Sequence, residues 1–239
     1  MHGDLLRVVL VRPEEAGNVG AAARVLKNFG LARLVLVSPR LGRPQEAARW
    51  AHGAEDVLDG AEWVERLEDA VAPCALAWAT SRRGGKGRGA VLEPREAASR
   101  LRAVLASGQE AAWVFGPESR GLTTGEIAAC SGRVRIPTAP RQPSLNLAQA
   151  VAICVYETVA TPPEGPLHGR ESSLEERAAL WRHLEEALLA VGYLDPKTAR
   201  RRMVAVRALL DRSRLSPAEV KLLRGVARQM LWAAGRRRP

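Results

Sequence analysis

"LLRVVLVRPEEAGNVGAAARVLKNFGLARLVLVS" occupies residues 5–38 and changes its hydrophobic period twice. Residues 5–11 form a nearly unbroken apolar run, as a strand buried on both faces requires. Over 18–29 the apolar positions return at helical spacing, and a second apolar run follows at 32–38. Strand, helix, strand in that order is the βαβ unit of a parallel sheet.

The same alternation continues along the chain. Further strands are predicted at 74–80, 111–116 and 133–138, with a short one near 56–59, and helices at 44–51, 61–71, 94–107, 123–130 and 145–160. "TPPEGPLHGRESS" then breaks the pattern with three prolines and two glycines, the composition of a linker. Beyond it only helices are predicted, at 173–191, 196–212 and 217–234. Each opens on a capping signal: Ser172 or Ser173, with Ser173 and Glu176 at capping-box spacing; Asp195 before Pro196; and Ser216 before Pro217. The expected organisation is an α/β domain over 1–160, a linker over 161–172 and a small basic all-α domain over 173–239.

Charge follows that division. The 239 residues carry a net +10, but residues 1–160 hold 20 Lys/Arg against 17 Asp/Glu, while 161–239 hold 16 against 9. A basic excess gathered in the tail points to a polyanionic partner. Aromatic residues are only 4%, so no broad base-stacking platform is advertised. Cys74, Cys130 and Cys154 lie far apart in apolar settings, unpaired and without metal-ligand spacing, which implies buried thiols in a reducing compartment and no metal. "MHGDLLRVVLVRP" lacks the regions of a signal peptide and no stretch is long enough to span a bilayer, so a cytoplasmic protein without a membrane partner is expected.

In an open parallel sheet, ligands bind beyond the carboxyl ends of the strands, and four of the loops there are unusual. After the first strand, Gly17 and Gly20 flank Asn18, followed by Arg24 and Lys27. This is either a helix capped by Asn18 or an anion site, but neither a dinucleotide fingerprint nor a P-loop. After the third strong strand, Thr80 and Ser81 lead into Arg82, Arg83, Lys86 and Arg88, interleaved with glycines: either a phosphate-closing loop or an exposed basic one. "FGPESRGLT" (115–123) places Glu118 in a stiff turn between Gly116 and Gly121. Finally "IPTAPRQPSLNLAQAV" (136–151) puts Pro137, Pro140 and Pro143 before a helix predicted to be apolar nearly all round. There Ser144 serves as a candidate N-cap, and Asn146 has no evident structural task.

"NVGAAARVLKNFG", "VFGPESRGLT" and "IPTAPRQPSLNLAQAVAICVYE", in that order, resemble the three motifs of the SPOUT class of RNA methyltransferases, in its SpoU-type branch that methylates ribose 2′-hydroxyls. The resemblance covers about residues 5–160. It implies an α/β domain whose end threads a deep trefoil knot, an exception to the rule against threaded chains. It also implies a homodimer whose active site draws on both subunits, with S-adenosylmethionine bent into the knot. Matched position by position, Asn18, Arg24, Glu118, Ser144 and Asn146 fall on functional positions, with Arg24 in the family's proposed place of the base. The cofactor pocket falls on Thr80, Ser81, Arg82, Phe115, Gly116, Glu118, Gly121, Leu122, Ile136, Pro137, Ser144, Leu145 and Asn146.

The opening "VVLVRPEEAGNVGAAAR", "ATSRR" and the helical extension are most similar to a sub-group that methylates the first nucleotide of the tRNA anticodon loop, cytidine or uridine. Another tRNA position or ribosomal RNA is the alternative target. RNA contacts are then expected from Arg24, Lys27, Arg82, Arg83, Lys86 and Arg88, and from Arg200, Arg201 and Arg202 of the basic tail, which would bind RNA, dimerise or both. A nicotinamide-dependent enzyme is disfavoured by the missing G-x-G-x-x-G and by "VSPR" where an acid should end the second strand. A non-catalytic RNA-binding protein would have no use for the five polar positions held together.

Overall fold

The computed structural model describes residues 3–39, 45–82, 91–160, 171–211 and 215–236. A 3-10 turn at Gly3–Leu5 leads into β1 (Leu6–Val11), α1 (Ala16–Asn28), β2 (Leu34–Val37), α2 (Gln45–Ala51), α3 (Glu55–Asp59), β3 (Glu62–Val64) and α4 (Leu67–Val71). Then follow β4 (Leu76–Thr80), β5 (Val91–Leu92), α5 (Pro94–Ala106), β6 (Ala111–Phe115), α6 (Thr124–Ala129), β7 (Gly132–Val134) and α7 (Leu147–Val159). The chain ends in α8 (Leu174–Ala190), α9 (Ala199–Asp211) and α10 (Pro217–Arg236).

All paired strands are parallel, in the order β3-β2-β1-β6-β4-β7-β5. The predicted α/β parallel sheet is therefore present, and the period-two geometry of its strands sorts the side chains into two cores. Val8, Leu10, Leu34, Leu36, Trp113 and Phe115 face the layer that includes α1, α5 and α7. Val9, Val11, Val35, Val37 and Val114 face the layer of α4 and α6. Both faces are covered, which is why the strands read as unbroken apolar runs. The three cysteines are buried in these layers and burial pushes their thiols up, Cys74 to about 12, so none is a ready nucleophile.

Four expectations are corrected. The strand anticipated near 56–59 is α3, whose Glu55 and Asp56 suit a helix N-terminus and whose single buried residue is Val57. The helix anticipated over 61–71 begins only at Leu67. Its first part is instead edge strand β3, held by the ladder to β2 and by an ion pair from Arg7 to Glu62 at 2.8 Å. The strand anticipated over 133–138 ends at Val134, and Pro137 lies in the irregular segment that follows. The helix anticipated over 145–160 begins at Leu147 and is not apolar-buried all round, because Tyr156 is 55% exposed and Leu145 is 37% exposed outside it.

Leu180, Trp181, Leu184, Met203 and Val220 close a third core within α8, α9 and α10. Ser173 and Glu176 form the capping box that starts α8. The buried Arg177 joins this helical part to the sheet, donating to the carbonyls of Ser172 at 2.8 Å and Ala75 at 2.6 Å. Leu174 packs on the α4–α6 layer.

One contact sets how closely α2 lies on α1. A Cβ on Gly20 would fall 2.0 Å from the Ala47 carbonyl oxygen, so these helices touch backbone to backbone. Gly20→Ala is expected to cost ~1–3 kcal/mol, the range for overpacking a filled core, read as a lowered midpoint in urea denaturation.

Candidate functional site

The loops after β1, β4, β6 and β7 converge at the carboxyl edge of the sheet, near the point where the chain order reverses across β1 and β6. Their backbones are tightly folded. A Cβ on Gly116 would sit 2.3 Å from the Leu122 nitrogen, and Gly121, at φ +66°, donates its N–H to the Pro117 carbonyl at 2.8 Å. The loop therefore doubles back on itself and presents Glu118 toward the start of α1.

Glu118 is the end of a polar relay. Its Oε2 accepts from the Glu14 backbone N–H at 3.0 Å, and its Oε1 accepts from Asn18 Nδ2 at 2.8 Å and from the Glu15 N–H at 3.4 Å. Asn146 Nδ2 donates to Asn18 Oδ1 at 2.7 Å. Asn146 Oδ1 in turn accepts from the Ala148 and Gln149 N–H groups at 2.9 and 3.4 Å, which makes Asn146 the N-cap of α7. Asn18 itself is not a cap: it is the third residue of α1 and is buried, while Glu15 occupies the N-cap position without a side-chain bond. The helix N-terminus does attract an anion, and that anion is the Glu118 carboxylate.

Reciprocal contacts lock the two loops. The Glu14 carboxylate accepts from the Ser119 N–H at 3.1 Å and hydroxyl at 2.7 Å. Arg12, at φ +47°, pairs with Glu126, whose other oxygen accepts from the Thr123 N–H within the α6 capping box. The bond to Glu126 raises the Arg12 guanidinium. Burial pulls the Glu126 carboxyl upward, but Arg12 and Thr123 together hold it below its ordinary value.

A crevice opens beside this relay. It is lined by Thr80, Ser81, Arg82, Phe115, Gly116, Glu118, Gly121, Ile136, Ser144 and Leu145, all predicted for the cofactor pocket, and by Pro117, Ser119, Arg120, Thr138, Pro143, Leu147 and Ala150, which were not. Three predicted members lie elsewhere: Leu122 is buried in the α4–α6 core, Pro137 is exposed off the lining, and Asn146 lines a neighbouring cavity. Ser144 is exposed on the crevice wall and is not the cap of α7. Thr80 is fixed by donating its hydroxyl to the Val114 carbonyl at 3.0 Å.

The cationic candidates are scattered. Arg24 is exposed on α1, six residues beyond Asn18 and so about 9 Å along the helix and on another face. It does not join the relay of its own chain. Lys27 is engaged by Asp56 at 2.5 Å. Arg200, Arg201 and Arg202 are exposed on α9. Arg83, Lys86 and Arg88 lie outside the described residues, as does most of the expected linker. No cluster of metal-ligating side chains occurs among the described residues, and no described helix is long and apolar enough to cross a membrane.

Comparison with known proteins gives a consistent result. Residues 5–156 match the model of the SpoU rRNA Methylase family, and residues 175–239 match that of the tRNA methyltransferase TrmJ C-terminal domain. A tRNA (cytidine/uridine/adenosine-2′-O-)-methyltransferase TrmJ of Pseudomonas aeruginosa is 38% identical over 93% of this chain and 92% of its own length. A tRNA (cytidine/uridine-2′-O-)-methyltransferase TrmJ of Pectobacterium atrosepticum is 36% identical over 93% and 95%. Among solved structures, TrmJ from Z. mobilis ZM4 superposes with a TM-score of 0.80 at 34% identity, covering 94% of this chain and 98% of that one.

Removing either end of the relay should be costly, and the costs should be linked. Asn146→Ala loses a cap, worth ~1 kcal/mol, and Glu118→Gln turns an amide donor on the Glu14 N–H, ~1–3 kcal/mol. The double mutant in urea denaturation is expected to fall short of the sum by ~0.5 kcal/mol or more; strict additivity would mean that Asn18 does not connect them.

Proposed function

The chain belongs to the SpoU rRNA Methylase family, and on that premise we propose that it methylates a ribose 2′-hydroxyl of tRNA, with S-adenosylmethionine as methyl donor. The observation that carries the reading is the Glu118–Asn18–Asn146 relay joined to a crevice with both apolar and polar walls. The substrate follows from relatives that share most of the chain and its helical end. The resemblance of "VVLVRPEEAGNVGAAAR" and "ATSRR" to one sub-group supports the first nucleotide of the anticodon loop, cytidine or uridine, as the target. The protein works as a homodimer in the cytoplasm, and its residues 1–160, ending in a trefoil thread, form the catalytic domain.

The crevice fits the donor in kind. Phe115, Ile136, Leu145, Leu147 and Ala150 offer apolar walls to an adenosyl group, while Gly116 and Gly121 leave backbone groups within reach. Bound there, S-adenosylmethionine supplies a methyl group activated by its sulfonium. The protein's task is to place the ribose hydroxyl in line and to exclude water, for which orientation alone is worth several kcal/mol, up to ~7–11. Asn18 and Asn146 each retain a second amide hydrogen that can orient an oxygen. Ser144 stands on the same edge.

Arg24 is better suited to act as a clamp than as a base, since a guanidinium offers only donors and accepts a proton poorly. Its exposed position off the relay suits a role in the other subunit's site, beside the phosphate next to the target ribose. Arg24→Ala should abolish transfer while S-adenosylmethionine still binds in calorimetry. Mixing inactive Arg24→Ala with inactive Asn18→Ala should recover about one quarter of wild-type activity, because half the dimers then carry one intact site. No recovery would place Arg24 in its own chain's site.

The helical end grips tRNA through phosphate contacts from α9, where Arg200, Arg201 and Arg202 are all exposed. Deleting residues 161–239 is a blunt test, because Leu174 and Arg177 pack into the sheet layer. Replacing the three arginines by alanine leaves those contacts alone. It should weaken tRNA binding and reduce the slope of log K against log salt by about two to three; an unchanged slope would remove the RNA grip from α9.

A further inference from the structure

A second cavity, of about 710 Å3, adjoins the relay and is lined by its Asn18 and Asn146. Its floor is unusual. The indole of Trp50 on α2 lies across the first turn of α1, where a Cβ on Gly17 would come within 3.2 Å of the indole Nε1 and 3.3 Å of Cδ1. Any side chain at residue 17 would push the ring away by a few tenths of an ångström. The other part of Trp50 is open, and the residue is 59% exposed in a protein with 4% aromatic residues.

A large aromatic ring held against a backbone and left open on the cavity side is a surface for a flat ligand. Among the described residues, the small Ala16, Gly17 and Ala21 and the polar Glu14, Glu15, Glu46, Asn18 and Asn146 complete the lining around Trp50, so a flat ring lying on the indole has hydrogen-bonding groups within the same cavity. The two amides at its inner wall are those assigned above to the ribose oxygen. A ribose held there carries its base outward on the glycosidic bond, into this cavity.

We propose that the cavity is the pocket for the base of the nucleotide undergoing methylation, and that Trp50 is the platform on which the unstacked base lies. The proposal rests on the methyltransferase reading and adds to it the residue that receives the base. Single-stranded RNA is recognised by splaying bases onto aromatic faces, and such stacking tolerates several bases because each has a π-face.

The test uses the full-length protein with a tRNA transcript. Trp50→Ala should lower kcat/KM for tRNA by about 10- to 100-fold, the loss typical of removing one stacking ring, with S-adenosylmethionine affinity and melting temperature nearly unchanged. Trp50→Phe, which keeps an aromatic face, should recover most of the loss. An Ala variant as active as wild type, equal losses in Ala and Phe, or loss of S-adenosylmethionine binding in parallel would each overturn the assignment. A second readout is independent of turnover: the emission present in wild type and absent from Trp50→Phe should be quenched by free cytidine, and no quenching overturns the platform. If cytidine quenches but the wild-type protein transfers no methyl group to tRNA, the base pocket stands and the tRNA methyltransferase reading fails.

Discussion

A carboxylate that can only accept hydrogen bonds fixes the polarity of everything around it. Ionised Glu118 takes the Asn18 amide by its nitrogen, so Asn18 must turn its oxygen toward Asn146. Asn146 must then answer with its own nitrogen, which leaves its oxygen for the free N–H groups at the start of α7. Neither amide can flip without setting oxygen against oxygen or nitrogen against nitrogen. One charge thus orients two neutral side chains that belong to motifs 128 positions apart. It is itself held by the backbone N–H groups of Glu14 and Glu15, where the dipole of α1 adds its attraction.

The relay can exist only because the sheet brings three loops to one edge. β1 lies beside β6, and β6 beside β4, which pairs with β7, so the loops carrying residues 14–18, 118 and 146 emerge close together. Close approach is then a matter of missing side chains. Gly116 lets the loop after β6 fold flat, and Gly20 lets α2 settle on α1. The reciprocal bonds between Glu14 and Ser119 and the ion pair between Arg12 and Glu126 hold the loops after β1 and β6 at fixed spacing. Such mutual fixing is what a site working by orientation needs, because an error of about 1 Å can cost ~100-fold in rate.

The parallel sheet was legible because burial on both faces leaves a plain mark, the unbroken apolar strand between helical periods. Where that mark fades, the reading failed: β3 is largely exposed and β5 is two residues long, so neither carries enough buried positions to show a period. The motif residues Asn18, Glu118 and Asn146 were found by resemblance, but their bonding was not. The sequence offered Ser144 as the helix cap and gave Asn146 no structural duty, whereas Asn146 caps the helix and joins the relay with the two ends of one amide. Leu145 reads as the first residue of the apolar helix, yet it stands outside α7, and only its expected place on the crevice wall is kept. Pro143 and Thr138 line that crevice through the fold of an irregular segment, which has no period to read. Trp50 left no signal at all, since its place depends on how α2 meets Gly17.

The bonding of Glu118 also bears on how the proposed reaction must run. Both of its oxygens accept hydrogen bonds within the chain, one from the Glu14 backbone and the other from Asn18 and the Glu15 backbone, so the carboxylate of the relay serves to hold neighbouring groups in place. Asn18 and Asn146 are amides, Ser144 is an alcohol, and Arg24 is a cation; none of these is a base of useful strength at neutral pH. A site built this way does not depend on forming an alkoxide first. It favours a reaction in which the hydroxyl is aimed by fixed hydrogen bonds and loses its proton as the new carbon–oxygen bond forms, to water or to the adjoining phosphate. Catalysis of that kind rests on preorganised position rather than on tuned acidity. The glycines, caps and reciprocal ion pairs around the relay are the means by which this chain maintains it.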